Sequence, residues 1–178
     1  MSILLLDRDG TIIKEPHDRR VDSLEKVEFF PELERACALL LEYNIDIVLI
    51  TNQSGIAEGR ISESEFHDIN NYVVDYLTKQ GVRVLATYMC PHQDSDNCTC
   101  RKPEPELILR VLSDYDINPH DTYYIGDRDS DVLAGMRASV KTILVETSSI
   151  ARTERVIEYT ARNILDAVEY VIKQNKAI

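Results

Sequence analysis

The chain has 178 residues, and its 20 lysines and arginines stand against 31 aspartates and glutamates, a formal net charge of −11. This length fits a single domain, residues 1–178, with a full hydrophobic core. Proteins that live on nucleic acid carry a basic stripe, so the acidic balance argues against a nucleic-acid partner. No secretory signal or membrane-length apolar run is visible, so we expect a cytoplasmic protein with no membrane partner.

Short apolar runs alternate with helical patterns along the chain. The predicted strands are, in chain order, residues 3–6, 45–50, 82–89, 122–125 and 142–145, with a further short strand near 155–159. Apolar residues recur at helical spacing after about 31, after 62, after 105, before about 138 and over 163–173. Strands separated by helices indicate βαβ units, and therefore an α/β fold with a parallel sheet. In such sheets ligands bind at the carboxyl ends of the strands.

Polar clusters stand at those predicted strand ends. Residues 7–11 (DRDGT) follow the first strand, and the i, i+2 spacing of Asp7 and Asp9 projects both carboxylates to the same side. Such a pair can supply a nucleophile and a general acid when their environments push the two pKa values apart. Taken alone, a solvated turn is the simpler explanation of this segment.

Three further clusters have the same ambiguity when each is taken alone. Residues 51–55 (TNQSG) offer a hydroxyl and successive backbone N–H groups to an anion, although such residues also form plain turns. Arg101 and Lys102 place adjacent cations in an acidic chain, which fits a phosphate site or a solvated surface. Residues 126–131 (GDRDSD) offer carboxylates to Mg²⁺, although a helix N-terminus also favours acids.

The cysteines suggest a second metal site. Cys90, His92, Cys98 and Cys100 supply three thiolates and one imidazole, which match a closed tetrahedral zinc site. Because no coordination position is left open, this zinc is expected to be structural and to pin a loop. Disulfides or a redox pair are the alternatives. Cys37 lies on the apolar face of the first predicted helix, where we expect a buried, inert thiol.

Together the clusters 7–11, 51–55, Lys102 and 126–131 resemble, in content and order, the haloacid dehalogenase superfamily of aspartate-nucleophile phosphatases. The resemblance extends from about residue 3 to residue 145. It implies a Rossmann-like three-layer sandwich with a central parallel sheet. Only about 18 residues separate the first cluster from the first predicted helix, too few for a helical cap domain, so we expect a capless enzyme with a zinc-binding loop.

The resemblance also implies the chemistry. Asp7 would attack phosphorus and form an aspartyl-phosphate, while Asp9 would protonate the leaving alcohol and later accept a proton from water. Mg²⁺ would be held by the carboxylates of Asp7 and Asp127 and the backbone carbonyl of Asp9, and Asp131 would orient the neighbouring lysine or metal-bound waters. Substrate and phosphate contacts are assigned to a set of polar side chains: Arg8, Glu15, Thr51, Asn52, Arg101 and Lys102.

The zinc loop followed by residues 101–103 (RKP) is similar to the group that contains histidinol phosphatase and D-glycero-D-manno-heptose 1,7-bisphosphate phosphatase. Glu15, Asp18 and Asp22 suit a cationic leaving group, although such acids can also simply solvate a loop, so histidinol phosphate, and with it histidine biosynthesis, is the first prediction. Heptose bisphosphate is the alternative. A non-catalytic zinc-organised binding module and a nucleic-acid end-processing phosphatase are the alternatives from other classes. The partner is then a small phosphorylated metabolite, and the chain a monomer or small homo-oligomer.

Overall fold

A computed structural model describes residues 2–18, 20–146 and 157–176. The strands are β1 (Ser2–Leu6), β2 (Ile45–Asn52), β3 (Val84–Cys90), β4 (Tyr123–Gly126), β5 (Lys141–Val145) and β6 (Tyr159–Ala161). The α-helices are α1 (Leu33–Glu42), α2 (Glu63–Lys79), α3 (Glu106–Asp114), α4 (Asp129–Arg137) and α5 (Ile164–Lys176). Short 3₁₀ helices lie at Leu24–Lys26, Asp94–Asp96 and Pro119–Asp121.

The strands form one sheet in the order β3-β2-β1-β4-β5-β6, and every pairing is parallel. β1 lies between β2 and β4 and alternates its side chains between two hydrophobic clusters. Leu4 and Leu6 pack with α1, α2 and α5 on one face, whereas Leu5 packs with α3 and α4 on the other. A strand that is buried on both faces must be apolar throughout, which explains its run of aliphatic residues. The predicted three-layer α/β fold is confirmed.

Local signals in the sequence account for several boundaries. Ser62 caps α2: its Oγ accepts from the backbone N–H of Glu65 at 3.2 Å, and the Glu65 carboxylate accepts from the backbone N–H of Ser62 at 2.8 Å. This reciprocal cap was predicted from the spacing of the two residues. Cys37 is buried on α1, as predicted. The strand predicted near 155–159 lies partly outside the described residues, and the strand observed there is β6.

The segment between β1 and α1 sets the shape of the site. Its described residues contain one short 3₁₀ helix, Leu24–Lys26, and no α-helix. Loops therefore surround the carboxyl end of β1, as expected for a capless enzyme. In the described part of the chain, none of the helices combines the length and apolarity needed to cross a bilayer.

Candidate active site

Four charged side chains meet, buried, at the carboxyl ends of the central strands. Asp7 directly follows β1, Asp127 directly follows β4, Asp131 lies in the first turn of α4, and Lys102 enters from the loop before α3. Each is at most 5% exposed. Burial of three acids and one base in a single cluster is costly unless each is paired or binds a metal. This cost is the physical reason to regard the cluster as a functional site.

The ammonium of Lys102 is the centre of this cluster. Its Nζ lies 2.5 Å from Oδ1 of Asp7 and 2.6 Å from Oδ1 of Asp131. It also donates to the hydroxyl of Tyr124 at 2.9 Å and to the carbonyl of Ile50 at 3.1 Å. Burial alone would lower the pKa of Lys102, but the Asp131 and Asp7 carboxylates outweigh it and raise the pKa above its ordinary value. Lys102 is therefore a cation at neutral pH.

Asn52, at the end of β2, fixes the backbone of Lys102. Its Nδ2 donates to the Lys102 carbonyl at 3.1 Å, and its Oδ1 accepts from the Lys102 backbone N–H at 3.1 Å. The sequence assigned Asn52 to substrate contact. The structure places it at the cavity wall with both polar atoms engaged by the loop that carries the lysine.

Asp9 lies among hydrogen-bond donors. The buried guanidinium of Arg8 donates to both of its oxygens, at 2.7 and 3.0 Å, and Nε2 of Gln53 donates at 2.8 Å. Burial raises the pKa of Asp9, but Arg8 and Gln53 outweigh burial, so its pKa is below the ordinary value. The same Gln53 nitrogen donates to Oγ1 of Thr51 at 2.8 Å, which ties the second strand end to the first.

Arg8 does not lie where its predicted role in phosphate binding would place it. Its side chain is fully buried, its guanidinium packs over the ring of Phe66 at 5.2 Å, and it is not among the residues lining the catalytic cavity. Successive side chains of extended backbone point to opposite sides. Because Asp7 points toward the site, Arg8 points into the core. Its contacts indicate that it holds the Asp9 carboxylate.

The carboxylates of Asp7, Asp127 and Asp131 can hold a divalent cation, since their oxygens lie within 4.8 Å of one another. The pKa of Asp7 lies well above its ordinary value because burial and the carboxylates of Asp131 and Asp127 raise it more than Lys102 lowers it. Burial and Asp131 raise the pKa of Asp127 to about 7. Gly10 adjoins them with φ of +92°, and a Cβ there would fall 2.2 Å from Oδ2 of Asp127. An all-oxygen, acid-rich donor set fits Mg²⁺.

A cavity of about 90 Å³ opens over this cluster. Its lining includes most of the predicted site residues: Asp7, Asp9, Glu15, Thr51, Asn52, Arg101, Lys102 and Asp131. A second cavity of about 290 Å³ shares Asp9, Asn52, Ser54 and Arg128 with it and continues toward Arg20 and Arg60. The smaller cavity has the size of a phosphoryl group, and the larger one leaves room for the rest of a small metabolite.

The acidic residues predicted to recognise a cationic substrate are already ion-paired. Glu15 pairs with the guanidinium of Arg128. Asp18 and Asp22 both pair with the ammonium of Lys26, at 2.7 and 2.8 Å. The charge of Glu15 is therefore compensated within the chain, whereas Asp18 and Asp22 share one positive charge between two carboxylates.

The predicted zinc residues form one cluster. The donor atoms of Cys90, His92, Cys98 and Cys100 lie within 4.8 Å of one another. The Sγ atoms of Cys90 and Cys100 are 2.9 Å apart, and Nδ1 of His92 lies 3.3 Å from Sγ of Cys100. Donors at these separations can surround one zinc ion. The cluster joins the end of β3 to the loop that carries Arg101, whose Nε lies 2.5 Å from Oδ1 of Asp94.

Cys98→Ser is expected to lower the zinc content from about one ion per chain to well below half, because the site loses one of four ligands. The melting temperature should fall by about 5 °C or more, since a zinc ion bound by the four residues would stabilise the folded loop. Elemental analysis and calorimetry measure the two effects. Cys37→Ala removes a buried cysteine outside the cluster and should leave the zinc content unchanged. Equal zinc in Cys98→Ser and the parent would contradict the assignment.

Three residues of the site carried no assignment in the sequence. Gln53 follows Thr51 by two positions, so the sequence pattern could have predicted that it lies beside the end of β2. Arg128 pairs with Glu15 across 113 positions of sequence, a contact that only the folded chain shows. Tyr124 lies in an apolar strand and is typical of a core residue.

Known proteins share this architecture. A HAD-hydrolase-like family model matches residues 99–170. The D-glycero-beta-D-manno-heptose-1,7-bisphosphate 7-phosphatase of Helicobacter pylori strain J99 is 37% identical over 155 residues, which cover 84% of this chain and 86% of that protein. The chain belongs to the haloacid dehalogenase superfamily.

Two further relatives show which members of the superfamily this chain resembles. The histidine biosynthesis bifunctional protein HisB of Legionella pneumophila strain Lens is 34% identical over 129 residues, 72% of this chain but 37% of that protein's length. The crystal structure of D,D-heptose 1,7-bisphosphate phosphatase from B. bronchiseptica, complexed with magnesium and phosphate, has a TM-score of 0.87 at 27% identity and covers 98% of this chain and 99% of that chain. This superfamily member is a phosphatase, a phosphoric monoester hydrolase.

Proposed function

We propose that this phosphatase removes the 7-phosphate from D-glycero-D-manno-heptose 1,7-bisphosphate. The sequence favoured histidinol phosphate, with the heptose as its alternative. The relatives that this chain spans over most of their length are heptose bisphosphate phosphatases, whereas it spans a minor part of the histidine-biosynthesis protein. The observation that carries the choice is the pairing of the acidic loop.

A cationic amine binds well only where negative charge is available to it. Glu15 is occupied by Arg128, and Asp18 and Asp22 share the ammonium of Lys26. To bind histidinol, Glu15 would have to leave Arg128, and an amine at Asp18 and Asp22 would meet only the single negative charge that Lys26 leaves there, which reduces the electrostatic gain. A polyhydroxylated sugar needs hydrogen-bond donors and acceptors instead, and the paired side chains still offer both.

The second cavity also suits a substrate with a second phosphate. Arg20 and Arg60 line it, and both contact the same oxygen of Glu58, at 3.2 and 2.7 Å. Two guanidinium groups on one carboxylate leave one positive charge in excess at Glu58, in a cavity whose lining also includes Asp18 and Asp22 with their shared Lys26. Planar guanidinium groups bind phosphate oxygens well. We infer that this arginine pair contacts the phosphate that is not transferred.

The first half-reaction forms an aspartyl-phosphate. An oxygen of Asp7 attacks phosphorus, the bond from phosphorus to the sugar oxygen breaks, and Asp9 gives its proton to that oxygen. Arg8 keeps Asp9 ionised in the free enzyme, and the negative charge of the entering phosphoryl group raises its pKa so that it can carry the proton. Lys102 and the hydroxyl of Thr51 contact phosphoryl oxygens and stabilise the charge in the transition state.

The second half-reaction releases phosphate. Asp9, now a carboxylate, accepts a proton from water as the water oxygen attacks phosphorus and the bond to Asp7 breaks. Asp131 holds Lys102 in place through the contact at 2.6 Å. Mg²⁺, bound by the carboxylates of Asp7 and Asp127 and the carbonyl of Asp9, would offset the phosphoryl charge during both steps.

Phosphate release from heptose 1,7-bisphosphate, as both anomers, and from L-histidinol phosphate tests the proposal. The kcat/KM for one heptose anomer should exceed that for histidinol phosphate by about 100-fold or more, roughly 2.7 kcal/mol of transition-state discrimination. Replacing Arg60 by Gln should raise KM for the heptose bisphosphate more than for a monophosphate. The reverse substrate preference would return the protein to the histidinol phosphate prediction.

A further inference from the structure

The hydroxyl of Tyr124 lies inside the charged cluster. It accepts from Nζ of Lys102 at 2.9 Å and donates to Oδ1 of Asp131 at 3.0 Å. The side chain is 1% exposed. Its neighbour on β4, Tyr123, belongs to the hydrophobic cluster on the opposite face of the sheet and packs edge-to-face against Tyr170. The strand therefore presents two buried tyrosines, of which one reaches the catalytic lysine.

The hydrogen bonds of Lys102 outnumber its protons. An ammonium has three N–H groups, and four oxygens lie within 3.1 Å of it: Asp7 Oδ1, Asp131 Oδ1, Tyr124 Oη and Ile50 O. When a phosphoryl oxygen enters the site, one N–H of Lys102 must turn to it and give up its hydrogen bond to one of these four oxygens. If that N–H leaves Asp131, the Tyr124 hydroxyl still donates to the same oxygen, Oδ1, while the backbone N–H of Arg128 donates to Oδ2 at 3.0 Å, so both oxygens of the buried carboxylate stay hydrogen-bonded.

We propose that Tyr124 is a positioning residue for phosphoryl transfer: its hydroxyl holds the Lys102 ammonium in place and keeps Oδ1 of Asp131 hydrogen-bonded when a lysine N–H turns to the phosphoryl group. The inference rests on the proposed contact of Lys102 with that group. In a phenylalanine variant Oδ1 of Asp131 would lose the Tyr124 donor, so a lysine N–H could turn from it to the phosphoryl group only by giving up the hydrogen bond that Lys102 makes to this buried oxygen. Lys102 would then be drawn toward the carboxylates and offer less to the transition state.

Steady-state kinetics of Tyr124→Phe and Tyr123→Phe with Mg²⁺ and p-nitrophenyl phosphate test this role independently of the natural substrate. Tyr124→Phe should lower kcat by about 10- to 100-fold, with KM changed less than about threefold. The inhibition constant of orthovanadate, which resembles the transition state, should rise by a similar factor, while that of orthophosphate changes little. Tyr123→Phe, a matched loss of one buried tyrosine hydroxyl from the same strand, should keep kcat within about twofold.

A double-mutant cycle separates positioning from general stabilisation. In the Asp131→Asn background, adding Tyr124→Phe should cost less than about threefold in kcat, since the two residues act through one contact. Multiplicative losses, an equal loss in Tyr123→Phe, or an unchanged kcat in Tyr124→Phe would overturn the proposal. So would a Tyr124→Phe chain that fails to fold by circular dichroism. Failure of the parent enzyme on heptose bisphosphate, with p-nitrophenyl phosphate still hydrolysed, would refute the proposed substrate alone.

Discussion

Asp7→Asn is expected to reduce kcat by roughly 10⁴-fold or more, because an amide oxygen is a poor nucleophile and the covalent route is closed. The substitution keeps the size and shape of the side chain, so the cavity should stay intact. It also removes one of three crowded carboxylates whose mutual repulsion and burial raise the pKa of Asp7. We therefore expect the melting temperature without divalent cation to stay equal to that of the parent or to rise.

The matched control is Asp46→Asn. Asp46 is also a buried aspartate, but it lies at the amino end of β2, where its Oδ1 accepts from Nε of Arg83 at 2.8 Å. This variant should lose some stability and keep kcat. Phosphate release, zinc content and thermal unfolding are measured on all three proteins. More than about 1% of parental kcat in Asp7→Asn would contradict the nucleophile assignment.

The sequence predicts the sheet and the cysteine–histidine cluster well because both depend on local pattern. Apolar runs of strand length separated by helical spacing specify a parallel sheet, and parallel strands bring their carboxyl ends together, so Asp7, Thr51 and Asp127 had to be neighbours. The four residues of this cluster lie within residues 90–100, at the end of β3 and in the loop that follows, and their spacing is itself the signal. Little three-dimensional information is needed for either prediction.

The substrate end of the site depends on contacts between distant segments. The acids of residues 15–22 suggested amine recognition because their charges were counted without their partners. The fold brings Arg128 to Glu15 from far along the chain, and Lys26 reaches back to Asp18 and Asp22. Charge patterning shows which side chains are present, whereas their pairing determines what they can bind.

Lys102→Met is expected to lower kcat by about 10³-fold, because the buried charge that stabilises the phosphoryl group is lost. It should also destabilise the fold by about 3–5 kcal/mol without divalent cation, since Asp7 and Asp131 lose their shared cation. Met has a similar length and no charge, so the effect is electrostatic in origin. Lys141→Met, where the ammonium lies over the ring of Tyr123 at 4.9 Å and outside the site, is the control and should keep kcat.

The stability loss in Lys102→Met should depend on pH in a defined direction. The ordinary pKa of an aspartate is 3.8, and that of folded Asp7 is already well above it although Lys102 lowers it. Removing Lys102 raises the folded pKa further, so the folded state binds a proton that the unfolded state has released. Stability relative to the parent must then fall as pH rises from the folded pKa of Asp7 in the parent to its higher folded pKa in the variant. Urea unfolding at pH 5 and pH 8 measures this. A variant less stable at pH 5 than at pH 8, relative to the parent, would show that Lys102 does not lower the pKa of Asp7.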